Sequence, residues 1–302
     1  MVTNNIDTDF TIDNAITLFN GDCFDLIKKI PDNSVDLVVS SPPYCMGKSY
    51  ESPKNNPASF REQHIKLISE IYAKLKIGAS LCWQIGYHVK NGVTTPLDFI
   101  IQDIINNTLG DEISHNLILR NRIIWTFGHG LNNINRFSGR HETILWYTKG
   151  KDYVFNLDDV RVPQKYPGKK SYKGNNKGNF SGNPLGKNPS DVWDIPNVKS
   201  HHVEKTNHPC QFPVVIPQRL IKALTSKGAL VLDPFVGSGT TCVAAILEGR
   251  RFVGAEINNE FYEIALDRVK KTLNGEINIR EDKPIYKPNP NSAVAQKPVF
   301  FA

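Results

Sequence analysis

No stretch of this 302-residue chain approaches the ~18 consecutive apolar residues of a membrane span, so no membrane-embedded function is expected. Cysteine is scarce: Cys23, Cys45, Cys82, Cys210 and Cys242 are the five, and none forms a CxxC pair. That scatter fits free thiols in a reducing cytosol better than a disulfide framework. The N-terminal MVTNNIDTDF is polar and mildly acidic, unlike a signal peptide, and a cytoplasmic location is expected. No internal repeat is visible. What is there is a chain with 40% apolar residues, able to bury a sizeable core. Its length suits one large α/β domain with an insertion, or two domains.

Charge is modest in sum and uneven in place. Between Arg161 and Lys205 stand nine Lys or Arg against three Asp or Glu, so the whole excess of +6 lies in that segment and the remainder balances at 27 against 27. A lysine-rich stretch is often only a solvated loop. Its other reading is a surface for a polyanion, with lysines neutralising phosphates. The texture changes in the same place: from about 151 to 205 Gly, Asn, Lys and Pro dominate and apolar periodicity vanishes. A long loop of this kind inside a compact domain is functional or disordered, and it reads as an inserted recognition region outside the core.

Regular structure is legible on both sides of it. Residues 15–39 read as strand, short helix and strand, and a helix is expected over about 58–76, stopped by Gly78. Strands follow at 80–85, 122–125 and 142–147, with a helix near 95–107 and Trp125, Trp146 and Tyr147 as core residues. After the insert come helix 213–226, strand 229–232, helix 240–248, strand 251–257 and helix 259–273. The proline-rich tail from Asn274 is expected to be extended.

Ala229-Leu230-Val231-Leu232 runs into Asp233-Pro234-Phe235-Val236-Gly237-Ser238-Gly239-Thr240-Thr241, where a helix begins. A strand, a glycine turn and a helix N-terminus let a ligand approach bare backbone. Glu256 stands 19 residues after Gly237 at the next strand's end, placed to accept hydrogen bonds from ribose hydroxyls. No Walker lysine follows the turn, so a nucleoside triphosphate is not expected. The spacing of His201, His202, His208 and Cys210 matches no common zinc motif, and no metal is expected.

A second motif, Ser41-Pro42-Pro43-Tyr44, ends the strand-like Val35–Val39. Alone it is a rigid turn with a packing tyrosine. Together, DPFVGSGTT and SPPY resemble the cofactor and catalytic motifs of amino-methyltransferases that use S-adenosylmethionine. The catalytic motif comes first and a basic insert lies between them, an order similar to that of the β group of bacterial DNA amino-methyltransferases of restriction–modification systems. The resemblance covers roughly residues 15–272. It implies an α/β fold: a doubly wound, mostly parallel seven-stranded sheet with an inserted, loop-rich DNA-recognition region. Residues 1–150 would form the catalytic half, 151–205 the insert, 206–273 the cofactor-binding half and 274–302 the tail. Asp233, Phe235, Gly237, Ser238, Gly239, Thr240 and Glu256 would then hold the cofactor. His208, in the HPCQFP segment, would pack over its methionine end, and Asp22 would meet its adenine; as a residue alone, Asp22 is as well read as a helix cap.

The tetrapeptide suits this chemistry. An exocyclic amino nitrogen is a poor nucleophile because its lone pair is delocalised into the ring. Hydrogen bonds from its two N–H groups to the Ser41 hydroxyl and the Pro42 carbonyl would aim that pair at the methyl group. Proline offers acceptors without a competing N–H, and its fixed φ holds them in place. Tyr44 would stack on a base flipped out of duplex DNA. Ser41 is too weak an acid to serve as a base. For Arg136 and Arg140 two roles fit, phosphate contact or holding the loop; Lys169, Lys170, Lys173 and Lys177 are expected to contact DNA. Ser at the motif's first position resembles the cytosine-N4-modifying members and Asp the adenine-N6 ones, so cytosine is favoured and adenine is the alternative. RNA or protein-glutamine methylation, or a catalytically dead DNA-binding regulator, are more distant readings. Double-stranded DNA is the expected partner, and the setting leaves open a cognate restriction endonuclease.

Overall fold

The computed structural model describes residues 5–44, 57–130, 132–164 and 168–282. The chain begins with β1 (Ile6–Asp7), β2 (Ile16–Asn20), α1 (Cys23–Ile27) and β3 (Val35–Ser40), then α2 (Pro57–Lys74) and the long β4 (Leu75–Ile85). A small ribbon of β5 (Tyr87–Lys90) and β6 (Val93–Pro96) leads to α3 (Leu97–Asp103), a π-helical turn at Ile104–Thr108 and α4 (Asp111–Asn116). Next come β7 (Leu117–Thr126), β8 (His141–Lys149) and, within the polar segment, β9 (Val192–Asp194). The last elements are α5 (Val215–Leu224), β10 (Leu230–Asp233), α6 (Thr240–Leu247), β11 (Arg251–Glu256) and α7 (Asn259–Leu273).

Nine strands pair in the order β1-β2-β11-β10-β3-β4-β8-β7-β9. Within this sheet only β4–β8 and β8–β7 are antiparallel. The expected seven strands are present, and short β1 and β9 add one at each edge. The central strands are continuous apolar runs because both faces are covered. From β3, Leu37 and Val39 meet the cluster containing Ile221 of α5, Val243 of α6 and Val269 of α7, while Val38 meets Ile27 of α1 and Ile68 and Ile71 of α2. Each such buried side chain contributes about 1.5–3 kcal/mol. The two halves flanking the insert are interleaved, since β10 and β11 lie between β2 and β3.

Three local expectations are corrected. Gly78 does not stop α2; the helix ends at Lys74, where Asn33 and Ser34 N–H groups take its last carbonyls, and Gly78 lies inside β4 with φ +82°. Sheet pairing wins there, because buried Leu75 already pairs with Val35, and a Cβ on Gly78 would lie 2.7 Å from the Asp152 carbonyl oxygen. The helix near 95–107 is regular only to Asp103. The insert is not wholly outside the core: Val160, Trp193, Ile195 and Val198 are buried, and β9 pairs with β7. Isolated apolar anchors in polar sequence carry no periodicity. The exposed part is a hairpin, with Ser171 and Ser181 N–H groups bonded across to Asn179 and Lys169.

Trp125, Trp146 and Tyr147 are buried as expected. The first part of the tail packs on the body, where the Arg280 N–H donates to Glu204 and Arg219 pairs with Asp282 at 2.6 Å; the proline-rich run lies outside the described residues, as does Cys45. The other four cysteines are free thiols, and among the described residues no helix is long and apolar enough to cross a membrane.

Candidate active site

β11, β10 and β3 are neighbours, and their C-terminal ends release Glu256, the glycine turn and the SPPY tetrapeptide at one edge of the sheet. Open α/β sheets bind ligands at such ends. A cavity of about 410 Å³ opens there. Ser41, Pro42, Pro43 and Tyr44 line one wall, and Phe235, Gly237, Ser238, Thr240 and Glu256 another. The segment His208–Phe212, the strand residues Gln84, Trp125 and Glu142, and Phe127 also line it. The two motifs that stand almost 200 positions apart thus face each other across one space.

The turn needs its first glycine. Gly237 has φ +53°, and a Cβ there would lie 3.0 Å from the His208 Nε2, so glycine lets the His208 ring close over the backbone. Gly239, at φ +78°, serves the approach of α6 to α7, where a Cβ would lie 3.1 Å from Ala265. His208 is held in turn by a Cys210 N–H to its Nδ1 at 3.3 Å and by the Phe261 ring at 4.4 Å. Glu256 accepts the Gly237 N–H on one oxygen and the Asn258 N–H on the other, both at 2.8 Å. Burial raises its carboxyl above the ordinary range against those two bonds. Each oxygen keeps a further lone pair for a ligand hydroxyl.

Three of the residues expected at the cofactor stand outside the cavity lining. Asp22 is exposed and caps α1, accepting the Phe24 N–H at 2.7 Å, and does not line the cavity. Gly239 is the cap of α6 and likewise stands behind the wall. Asp233 is fully buried beneath the turn, accepting the Ser40 hydroxyl at 2.6 Å and the Phe235 N–H at 3.0 Å. It ties the residue before Ser41 to the cofactor-type loop. Burial pushes its carboxyl up to about 7, opposed by the hydrogen bonds from Ser40 and Phe235.

The hydroxyls of Ser238 and Thr240 are also engaged from below. Arg268 of α7, itself buried, donates to the Ser238 carbonyl at 2.6 Å and to the Thr240 hydroxyl at 3.0 Å. Sequence reasoning missed Arg268. Its signal was an arginine on the face of α7 that carries Ala265, Val269 and Thr272. Missed too were Gln84 and Glu142, hydrogen-bonded to each other, along with Ile257 and Phe261. Only a strand order brings the first two beside Tyr44, so no local pattern announces them. Burial, then the Glu142 charge, lift the Tyr44 phenol well above its usual range, so it is neutral.

The basic residues lie on loops outside the cavity. Arg136 is exposed, whereas Arg140 donates to the Gly139 carbonyl and to Asn132, both at 2.7 Å, and so holds its loop. Lys169, Lys170, Lys173 and Lys177 are all exposed on the hairpin, two of them over aromatic rings: Lys170 over Phe180 and Lys173 over Tyr172.

A doubly wound, mostly parallel sheet thus opens an acid and a glycine turn onto a Ser-Pro-Pro-Tyr wall across one cavity. The chain belongs to the DNA methylase family, whose model matches residues 35–267. It is 43% identical to the type II methyltransferase M.BglII of Bacillus subtilis over 87% of this chain and 71% of that one. It is 32% identical to the DNA adenine methyltransferase YhdJ of Escherichia coli, over 84% of this chain and 83% of that protein. Among solved structures it is similar in fold to the cytosine-N4-specific PvuII DNA methyltransferase, with a TM-score of 0.63 and 21% identity over 86% of this chain and 93% of that one. The fold also matches a putative DNA modification methylase of Thermus thermophilus in complex with S-adenosyl-L-methionine, at a TM-score of 0.59 and 24% identity over 85% and 94% of the two chains.

Proposed function

We propose that this chain is a site-specific DNA methyltransferase of restriction–modification type, moving a methyl group from S-adenosylmethionine to the N4 amino group of a cytosine flipped out of duplex DNA. The observation that carries the reading is the cavity shared by Ser41–Tyr44 and the Gly237–Glu256 cradle.

The lining suits that cofactor. Glu142 and Glu256 are the carboxylates of the described lining and Lys199 its one Lys or Arg, a balance that favours a cationic ligand over a polyphosphate. Glu256 would take the ribose hydroxyls, Phe235, Ile257 and Phe261 would give apolar faces to the purine, and His208 would cover the turn. When bound, the cofactor supplies an electrophilic methyl group on a sulfonium. The protein's part is positioning. Ser41 and the Pro42 carbonyl accept the two amino N–H bonds, and the neutral Tyr44 ring stacks on the base. The amino nitrogen becomes acidic as its bond to carbon forms, so its proton leaves to water afterwards and no side-chain base is required. Residues 151–205 would recognise the DNA sequence, with the hairpin lysines on phosphates.

Cytosine is favoured because Ser41, a neutral hydroxyl, opens the motif. Adenine N6 is the second reading, since a relative named for adenine methylation matches at 32% identity. Nucleosides from DNA treated with the purified enzyme, analysed by mass spectrometry, decide between them. N4-methylcytosine is the expected product; N6-methyladenine alone would replace cytosine with adenine, and no methylated base at all would overturn the DNA reading.

A further inference from the structure

The loop joining β7 to β8 carries the two most exposed large apolar side chains among the described residues: Ile134 at 103% and Phe137 at 99% exposure, against 83% for Ile77, the next. Its two feet are fastened at the cavity. Phe127 lines the cavity and donates its N–H to the Arg140 carbonyl at 3.0 Å, and Asn197, another lining residue, donates to the His129 carbonyl at 3.2 Å. Within the loop Arg140 bonds Asn132, and the Asn133 N–H donates to Ser138 at 3.0 Å. Pinned feet and an apolar tip describe a projection beside the mouth of the site.

Its charge names the occupant. The stretch Phe127-Gly-His-Gly-Leu-Asn-Asn-Ile-Asn-Arg-Phe-Ser-Gly-Arg140 contains two arginines and no Asp or Glu, and exposed Arg136 stands beside Phe137. A basic loop with an apolar tip fits a polyanion that has an apolar interior, which is the stacked base column of a duplex. An aromatic wedge between base steps replaces the stacking that a departing base gives up. We propose that Phe137, with Ile134 beside it, enters the duplex at the target position and fills the space left by the flipped base. The proposal rests on the DNA-methyltransferase reading above.

The test uses the full chain, radiolabelled S-adenosylmethionine and two short duplexes containing the recognition site, once modification sequencing has identified it. In one duplex the target base is paired; in the other it faces an abasic site, where leaving the stack costs less. Phe137→Ala should slow single-turnover transfer about tenfold or more on the paired duplex and less than about threefold on the abasic one, because unpairing is then cheap. Phe137→Leu should retain most of the rate. Calorimetric cofactor affinity and melting temperature, both unchanged, show that the variant is folded. Equal loss on both duplexes, or no loss, overturns the proposal. So does a change in sedimentation that accompanies an equal loss, which would assign the tip to contact with a second copy. Failure of the wild type to methylate either duplex would instead strike the underlying DNA reading.

Discussion

The turn after β10 and the loop between β7 and β8 meet the same cavity and are built in opposite ways. The turn is braced from beneath by buried Asp233 and Arg268 and from above by His208, which leaves it little room to move. The loop is braced at its feet and by two hydrogen bonds of its own, and it leaves Ile134, Arg136 and Phe137 in solvent. A small ligand of fixed shape calls for the first design, because misplacing a reacting group by an ångström costs far more than weak binding does. A duplex approaching from outside calls for the second, since its partner groups have to be reached. Between them stands the SPPY wall, proline-stiffened like the turn and, in the proposed function, facing the target base.

Separating the two sides is the sharpest way to test that contrast. Ser41→Ala and Tyr44→Ala should each reduce turnover by roughly 100-fold or more, since in the proposed function both align the target nitrogen. Cofactor affinity measured by calorimetry should stay close to wild type in both. A normal rate in either variant would remove the tetrapeptide from the chemistry.

A smaller effect is expected at the hairpin. Replacing Lys169, Lys170, Lys173 and Lys177 together with Ala should weaken DNA binding and flatten the slope of log affinity against log salt by about 3 to 4, as released counterions fall by about 0.9 per phosphate contact. The cofactor side should not notice. An unchanged slope would make the hairpin a solvated loop.

The smallest effect concerns the joint between the two sides. Asp233 is held at about 7 against an ordinary 3.8. A carboxyl raised in this way binds its proton more tightly folded than unfolded. It therefore stabilises the fold below 3.8, and that contribution is lost as pH climbs to about 7. Asp233→Asn keeps an acceptor for Ser40 and Phe235 but cannot ionise. The melting temperature of the wild type relative to this variant should fall as pH rises from about 4 to about 8. A difference independent of pH would mean that Asp233 ionises freely in the folded chain.

Much of this was legible in the order of residues. Strand Leu230–Asp233, its glycine turn and Glu256 announced by spacing alone a cavity wall at a strand end, because such a wall imposes local rules on a few successive residues. SPPY announced a rigid wall. Both motifs together, in their order, carried the family. Gly78 misled because a glycine after a helical pattern usually ends it; here the left-handed conformation serves a bend within β4 against Asp152. Asp22 and Asp233 could not be placed from sequence, because the same acid near a strand end can be a ligand or a brace; here one caps α1 and the other ties two loops together.

By itself the sequence determined the class of sheet, the two motifs and the basic segment, all of which depend on periodicity, on backbone restriction by Gly and Pro, and on charge counted along the chain. Only the tertiary structure decided which residues share a wall. Gln84 and Glu142 come from strands paired antiparallel, Arg268 reaches the turn from the last helix, and Trp193 crosses from a polar loop into the core. Those meetings are set by strand order and by the burial of side chains distant in sequence. No local rule contains them.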